Sequence, residues 1–265
     1  MSYSNFYGKT GILHSSVARI MGTRFDALLI GTDEQRLKTL WDNIERQLRR
    51  IEKMLNRFDH DSEVSHVNTD AQFTTVTMSE EFDAVMLDCK KYYELTDGCF
   101  DITKKNFNNV ILNAQTVQFN EYGLSLDFGG YAKGYALKHI KTMLHEADIE
   151  RALINFGNSS ALATGSHPNG DSWSIGIEDP YNNGITVATI KMKDSALSVS
   201  GNSPANPQHI IGNADKKMIT ATKMVAVETE DPLDAEVITT AWIASGSLTE
   251  PQWMKNFNVK TIYII

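Results

Sequence analysis

Between Leu124 and Leu144 the chain reads LSLDFGGYAKGYALKHIKTML: an apolar run closed by Asp127, a double glycine at Gly129 and Gly130, then a helical pattern. Apolar residues at Ala132, Tyr135, Ala136, Ile140, Met143, Leu144 and Ala147 fall at helical spacing. The expected unit is a buried strand ending at Asp127, a glycine turn, and a helix from Tyr131 to Ala147. Glycines at such a turn let the backbone come close to a ligand. The helix start behind them presents free N–H groups and a positive dipole end, which suits phosphate. Lys133, in the first turn, adds a mobile positive charge. A glycine turn chosen for tight packing writes the same pattern, so both readings stand at this point. Neither a Walker loop nor GxGxxG is present, because Tyr135 follows Gly134 where the Walker pattern needs Lys and Ser or Thr.

The 265 residues suffice for one large domain or two small ones, each with a real core. A net charge of −8, without a long basic run, argues against nonspecific binding to nucleic acid or to a membrane surface. It leaves room for a local basic pocket. Cys89 and Cys99 form no CxxC pair, and neither a disulfide framework nor a metal site is expected from them. The first residues lack the continuous apolar core of a signal peptide, and no stretch reaches transmembrane length. As written, the chain is expected in the cytoplasm; loss of a leader would make a periplasmic protein or lipoprotein equally consistent.

Thr23 to Gly31 reads as a strand. A helix is expected from Asp33 to about Arg57, with an apolar stripe of Leu37, Leu40, Trp41, Ile44, Leu48, Ile51, Met54 and Leu55. The following RFDHDSEVSHVN reads as a polar loop. Thr77 and Glu80 suggest a capping box for a second helix, which runs to about Leu95 and stops at Gly98. Short strands and turns are expected over 107–126. Further strands are expected at Ala152–Phe156, Ser172–Ile177, Thr186–Met192, Ala196–Ser200, Lys223–Val227 and Val259–Ile265, with a helix at Leu233–Ser245. Helices and strands mix without strict alternation, so the expected class is α+β.

In that last helix Glu236 and Thr240 lie four residues apart and share a face. A carboxylate and a hydroxyl are hard oxygen donors, and together with phosphate oxygens they suit Mg²⁺. The same pair also suits a carboxylate favouring the helix dipole beside a threonine packed on the core, and the segment alone favours that plainer reading. Seven histidines are scattered without HxxxH or HExxH spacing, which disfavours a histidine zinc site. His209 follows a Ser/Asn/Pro loop and is a candidate pocket residue or an ordinary loop histidine.

In order along the chain, these segments resemble the ApbE family of FAD:protein FMN transferases. Met21-Gly22-Thr23 resembles the family's opening MGT, and Arg57-Phe58 through Glu63-Val64 to Asn68 resembles its YxxxSEISRLN loop. Gly98-Cys99-Phe100-Asp101-Ile102-Thr103 is similar to GAFDxT, and Asp127 to Tyr135 to the DLGGIAKGYAVD core. Leu153 to Gly157 resembles VNLGG, Trp173 to Pro180 resembles WxVGIxDP, and Ser198 to Gly201 the TSG turn. Glu236 to Gly246 resembles the DALSTALFVLG helix. The resemblance spans nearly the whole chain. It implies a single domain over 1–265 with an α+β, T-fold-related architecture of mixed sheets and packed helices, the ligand cleft lying between two subdomains.

The resemblance also implies a reaction. Mg²⁺ would sit beside the FAD pyrophosphate, held by the backbone at Gly130 and by Glu236 and Thr240, with Thr239 adjacent. A Ser or Thr hydroxyl of an acceptor flavoprotein would attack the FMN phosphorus and release AMP. Met21, Phe58, Cys99, Phe100, Asp101 and Asp127 match positions that line the FAD site; Lys133 and His209 match positions close to the chemistry. Three departures stand out. The family's metal-binding Asp is Glu236, one methylene longer, and Asp234 is a second candidate in a shifted register. The family's HIIDPxTG becomes His209-Ile210-Ile211-Gly212-Asn213-Ala214-Asp215. The family usually acts outside the cytoplasmic membrane, yet no export signal is seen. Alternatives on the same scaffold are an FAD pyrophosphatase, with water as nucleophile, and a flavin-binding protein without turnover.

Overall fold

The computed structural model describes residues 2–179, 182, 184–201 and 224–264. Its main feature is an antiparallel sheet of eight strands: β1 (Ser2–Tyr7), β2 (Ile12–Ile20), β3 (Thr23–Ile30), β7 (Ala152–Phe156), β8 (Ser160–Thr164), β11 (Ser195–Gly201), β12 (Met224–Thr229) and β13 (Val259–Ile264), neighbours in that order. A hairpin of β9 (Trp173–Glu178) and β10 (Thr186–Met192) forms a second sheet; β4 (Val76–Thr77), β5 (Val110–Asn113) and β6 (Thr116–Phe119) form a third. The helices are α1 (Glu34–Leu55), α2 (Glu63–Asp70), α3 (Glu80–Leu95), α4 (Ala132–Glu146) and α5 (Pro232–Ser245).

The period-two geometry of a strand sends alternate side chains to opposite faces. One face of the large sheet contributes Phe25, Ile154, Phe156, Leu162 and Val225 to a core shared with α1, α4 and α5. From the other face, Ala161, Ala163, Leu197 and Ala226 pack against Trp173, Ile177, Ile190 and Met192 of the β9–β10 hairpin. Covered on both faces, β12 is buried at every position, so its sequence runs apolar with little alternation.

The stripe expected for α1 is its buried face residue for residue, and Asp33 caps it by accepting a hydrogen bond from the Arg36 N–H at 3.0 Å. Two expectations change nearby. The segment read as a polar loop contains α2, capped by Ser62. The cap of α3 is Ser79, which accepts from the Phe82 N–H at 3.2 Å, and not the Thr77–Glu80 box. Glu63, at the start of α2, accepts from the Ser79 N–H and hydroxyl at 2.6 and 2.8 Å, so the two helix starts are tied to each other.

The strand expected before Asp127 is also different. Residues 124–128 join no ladder. Asn68 of α2 takes the place of a neighbouring strand: its amide donates to the Leu126 carbonyl at 3.0 Å and accepts from the Leu126 N–H at 2.6 Å. Main-chain polar groups in a buried segment need partners, and Leu124, Leu126 and Phe128 are buried here. One side chain therefore anchors the segment that carries Asp127 into the glycine turn.

Candidate active site

The glycine turn connects this anchored segment to α4. Asp127 closes the turn by accepting from the Gly129 N–H at 2.9 Å. Its other oxygen meets the Lys104 ammonium at 2.5 Å and Arg57 Nε at 3.3 Å. Burial pushes the Asp127 carboxyl up, but Lys104, the Gly129 N–H and Arg57 together outweigh it and hold the group below the usual carboxylate range. With a folded value below the unfolded one, Asp127 contributes stability above the ordinary Asp value of about 3.9, and that contribution fades as pH falls through the folded value. Asp127→Asn is expected to flatten this acid limb in denaturant-midpoint measurements across pH.

Asp101 builds the neighbouring turn. Its carboxylate accepts from the Thr103 N–H at 2.8 Å and the Thr103 hydroxyl at 2.6 Å, while the Asp127 N–H donates to the Ile102 carbonyl at 2.7 Å. The left-handed backbone at Lys104 (φ 55°) then turns its chain toward Asp127. The second Asp101 oxygen is buried without a partner among the described residues.

A cavity of about 320 Å³ opens beside the turn, and Met21, Phe58, Asp127 and Lys133 lie in its wall. Met21 takes a left-handed conformation (φ 47°), and its N–H donates to Glu52 at 2.7 Å. Phe58 is 79% exposed, an open aromatic face at the cavity rim. Other residues expected around the flavin lie elsewhere. Phe100 is buried in the core, its ring against Tyr92 and Tyr131. Cys99 is half-buried and packs on the same core.

The first turn of α4 faces α5. A Cβ built on Gly134 would lie 2.7 Å from the Glu236 Cβ and 3.0 Å from the Leu233 Cα. One on Gly130 would lie 2.8 Å from the Thr240 hydroxyl oxygen. The two glycines thus let the turn and the helix close onto α5, with Glu236 and Thr240 both on the contacting face. Glu236 is 3% exposed. One oxygen accepts from the Lys133 ammonium in a short ion pair, and the other accepts from the Ser160 hydroxyl at 2.7 Å and the Ser198 hydroxyl at 3.1 Å.

Thr239 bonds β11. It is fully buried, and its hydroxyl bonds Ser198 and Ser200 of β11 at 3.0 and 2.9 Å. Asp234 accepts from the Tyr92 hydroxyl at 2.7 Å, on the α3 side, and burial raises its carboxyl above the ordinary range. Of the metal-ligand candidates, Gly130, Glu236 and Thr240 therefore come together; Thr239 adjoins Glu236 through the shared Ser198 hydroxyl, and Asp234 is engaged with Tyr92. No cluster of three or more His, Cys, Asp or Glu side chains suited to a metal occurs among the described residues. The candidate cation site is made of oxygen donors with a single carboxylate, and the Lys133 ammonium is a stand-in cation on that carboxylate. This donor set fits a hard divalent ion. His209 lies outside the described residues.

The sequence matches the ApbE family over residues 21–110 and 103–263. The chain belongs to the ApbE family. The FAD:protein FMN transferase of Escherichia coli (strain K12) is 21% identical over 270 residues, covering 89% of this chain and 75% of that protein. The protein of the same name from Treponema pallidum (strain Nichols) is 30% identical over 118 residues, 38% of this chain and 32% of that one. Among solved structures, the flavin transferase ApbE from Vibrio cholerae matches with a TM-score of 0.76 at 20% identity, over 91% of this chain and 87% of the other. The ApbE protein of Thermotoga maritima matches with a TM-score of 0.73 at 20% identity, over 96% and 89%. These likenesses show an ApbE fold of α+β class. Against the ApbE pattern, sequence reasoning missed Arg57, Lys104, Ser160 and Ser198. Arg57 opens one recognised segment and Lys104 directly follows another that ends at Thr103, and that was the available signal. Ser198 opens the recognised TSG-like turn, while Ser160 carried no signal.

Proposed function

We propose that this ApbE-family chain is an FAD:protein FMN transferase, moving FMN from FAD to a Ser or Thr hydroxyl of an acceptor protein and releasing AMP. The observation that carries this reading is the convergence of Gly130, Lys133, Glu236 and Thr240 beside the cavity at the start of α4. The hydroxyl oxygen forms a bond to the FMN phosphorus, the bond from that phosphorus to the bridging oxygen breaks, and AMP leaves with that oxygen. The hydroxyl proton passes to a base, for which His209 is the proposed group.

Glu236, Thr240 and the Gly130 carbonyl would hold Mg²⁺, which when bound neutralises charge developing on the phosphate oxygens. Ser160 and Ser198 fix one Glu236 oxygen, so the longer side chain cannot swing freely and its other oxygen stays toward Lys133. Lys133, in the first turn of α4, can exchange its carboxylate partner for a phosphate oxygen. The cavity wall supplies Met21 and Phe58 for the flavin nucleotide. Partners are FAD and the acceptor protein; the −8 charge gives no basis for nucleic acid, and no described helix is long and apolar enough to cross a membrane.

Metal removal tests the site. Excess EDTA is expected to stop transfer to an acceptor domain, and Mg²⁺ added back is expected to restore it. Transfer at an undiminished rate in EDTA would contradict the proposed role of Glu236 and Thr240.

A further inference from the structure

We propose that Arg57 is a specificity-determining residue of this cavity, gripping the diphosphate of FAD with the end of its guanidinium that has no partner among the described residues. The inference rests on the transferase reading and sharpens it.

The cations in the cavity wall are Arg19, Arg57 and Lys133, and they differ in availability and order. Lys133 is engaged by Glu236, and Arg19 is exposed, with no side-chain contact among the described residues to hold it in place. Arg57 also lines the wall, but only its Nε is engaged, 3.3 Å from Asp127. Its two terminal amino groups have no hydrogen-bond partner among the described residues. The group is nevertheless held in place. Its Cζ lies 4.7 Å from the Phe58 ring centroid. The Arg57 carbonyl accepts from the Ser65 hydroxyl at 3.2 Å, and Asn56 accepts from the Phe58 N–H at 3.1 Å, which fixes the loop on both sides.

A planar guanidinium fixed by a carboxylate and an aromatic face, with its fork open, is arranged for bidentate phosphate binding. Little side-chain entropy remains to be lost when it binds. The open Phe58 ring beside it offers a stacking face for a planar base or flavin. Arg57 and Lys133, at the start of α4, both line this cavity. A diphosphate can engage both anchors, a monophosphate one, and riboflavin neither. The cavity is therefore ordered to prefer FAD over FMN and FMN over riboflavin, through charge at the phosphates.

The test is equilibrium titration of FAD, FMN and riboflavin, in Mg²⁺, against the wild-type protein, Arg57→Gln and Arg57→Lys. Losing one charge-assisted phosphate contact is expected to weaken FAD binding by about 10- to 100-fold. Riboflavin affinity is expected to stay within about twofold, and the salt dependence of FAD binding to become shallower. Arg57→Lys is expected to recover only part of the loss, because an ammonium cannot form the fork. Equal weakening of FAD and riboflavin in Arg57→Gln would overturn the proposal, leaving Arg57 a mere support for Phe58. Unchanged FAD binding in that variant would overturn it while the transferase reading stands. A wild-type protein that binds none of the three would overturn both.

Discussion

Glu236→Ala is expected to reduce FMN transfer by at least about 100-fold and to lower folding stability by about 3 kcal/mol. Both effects follow from how the carboxylate is held. Glu236 is 3% exposed and accepts from Lys133, Ser160 and Ser198. Truncation leaves the Lys133 ammonium without its carboxylate in a site where its side chain is only 19% exposed, and the buried Ser160 hydroxyl loses its acceptor, while Ser198 keeps only Thr239. Breaking a buried ion pair from one side generally costs more than the pair contributes, because a desolvated charge remains. Glu236→Gln separates the two roles. It keeps an oxygen for the serines but removes the charge, so activity is expected to fall as far while stability falls less. Urea-midpoint shifts set beside initial transfer rates measure this; a Gln variant with near wild-type activity would show that the carboxylate charge is not needed.

Gly134→Ala is expected to destabilise the protein by about 2 kcal/mol, against the ordinary helix preference. Alanine in place of glycine inside a helix normally stabilises by about 1 kcal/mol. Here the added Cβ would stand 2.7 Å from the Glu236 Cβ and 3.0 Å from both the Leu233 Cα and the Pro232 carbonyl oxygen. Two of those three atoms are backbone, so relief requires α4 and α5 to move apart. Overpacking of this kind typically costs about 1–3 kcal/mol, enough to reverse the sign. The displacement would also carry Glu236 away from Lys133, so activity is expected to fall with stability. A variant more stable than wild type in urea would show that the helices approach less closely than described.

Much of this architecture was readable from local pattern. The α1 stripe was legible because its helix has one buried face and one solvated face. The α4 start was legible because its glycines are required by the close approach of α5. Strands β1 and β2 were missed, and so was β8 (SALAT), which carries no alternation because it is made of small residues and is buried at four of its five positions. The α2 helix reads as a loop because its sequence, EVSHVNTD, is mostly polar. The segment before Asp127 reads as a strand because it is apolar, yet its partner is the Asn68 side chain, which no periodicity encodes.

The site divides in the same way. Glu236 and Thr240 were legible as oxygen donors on one helix face. The fold then decided between neighbours, turning Thr239 to β11 and Asp234 to Tyr92. Of the two serines that fix the glutamate, Ser160 looks like any strand serine, and Ser198 lay in the TSG-like turn with nothing to say that it reaches Glu236. Phe100 and Asp101 sit in a recognised motif, but one packs the core and the other shapes the Lys104 turn. A motif position marks a neighbourhood, and the fold sets which of its side chains face the cavity.

The central claim is tested most directly by incubating the protein with FAD, Mg²⁺ and an acceptor domain carrying a Ser/Thr flavinylation motif, and reading the acceptor by intact mass spectrometry. The expected result is a mass gain of one phosphoester-linked FMN on the acceptor, matched by AMP in solution and absent in EDTA. Release of FMN and AMP with the acceptor unmodified would contradict transfer in favour of hydrolysis, and intact FAD beside an unmodified acceptor would contradict turnover altogether.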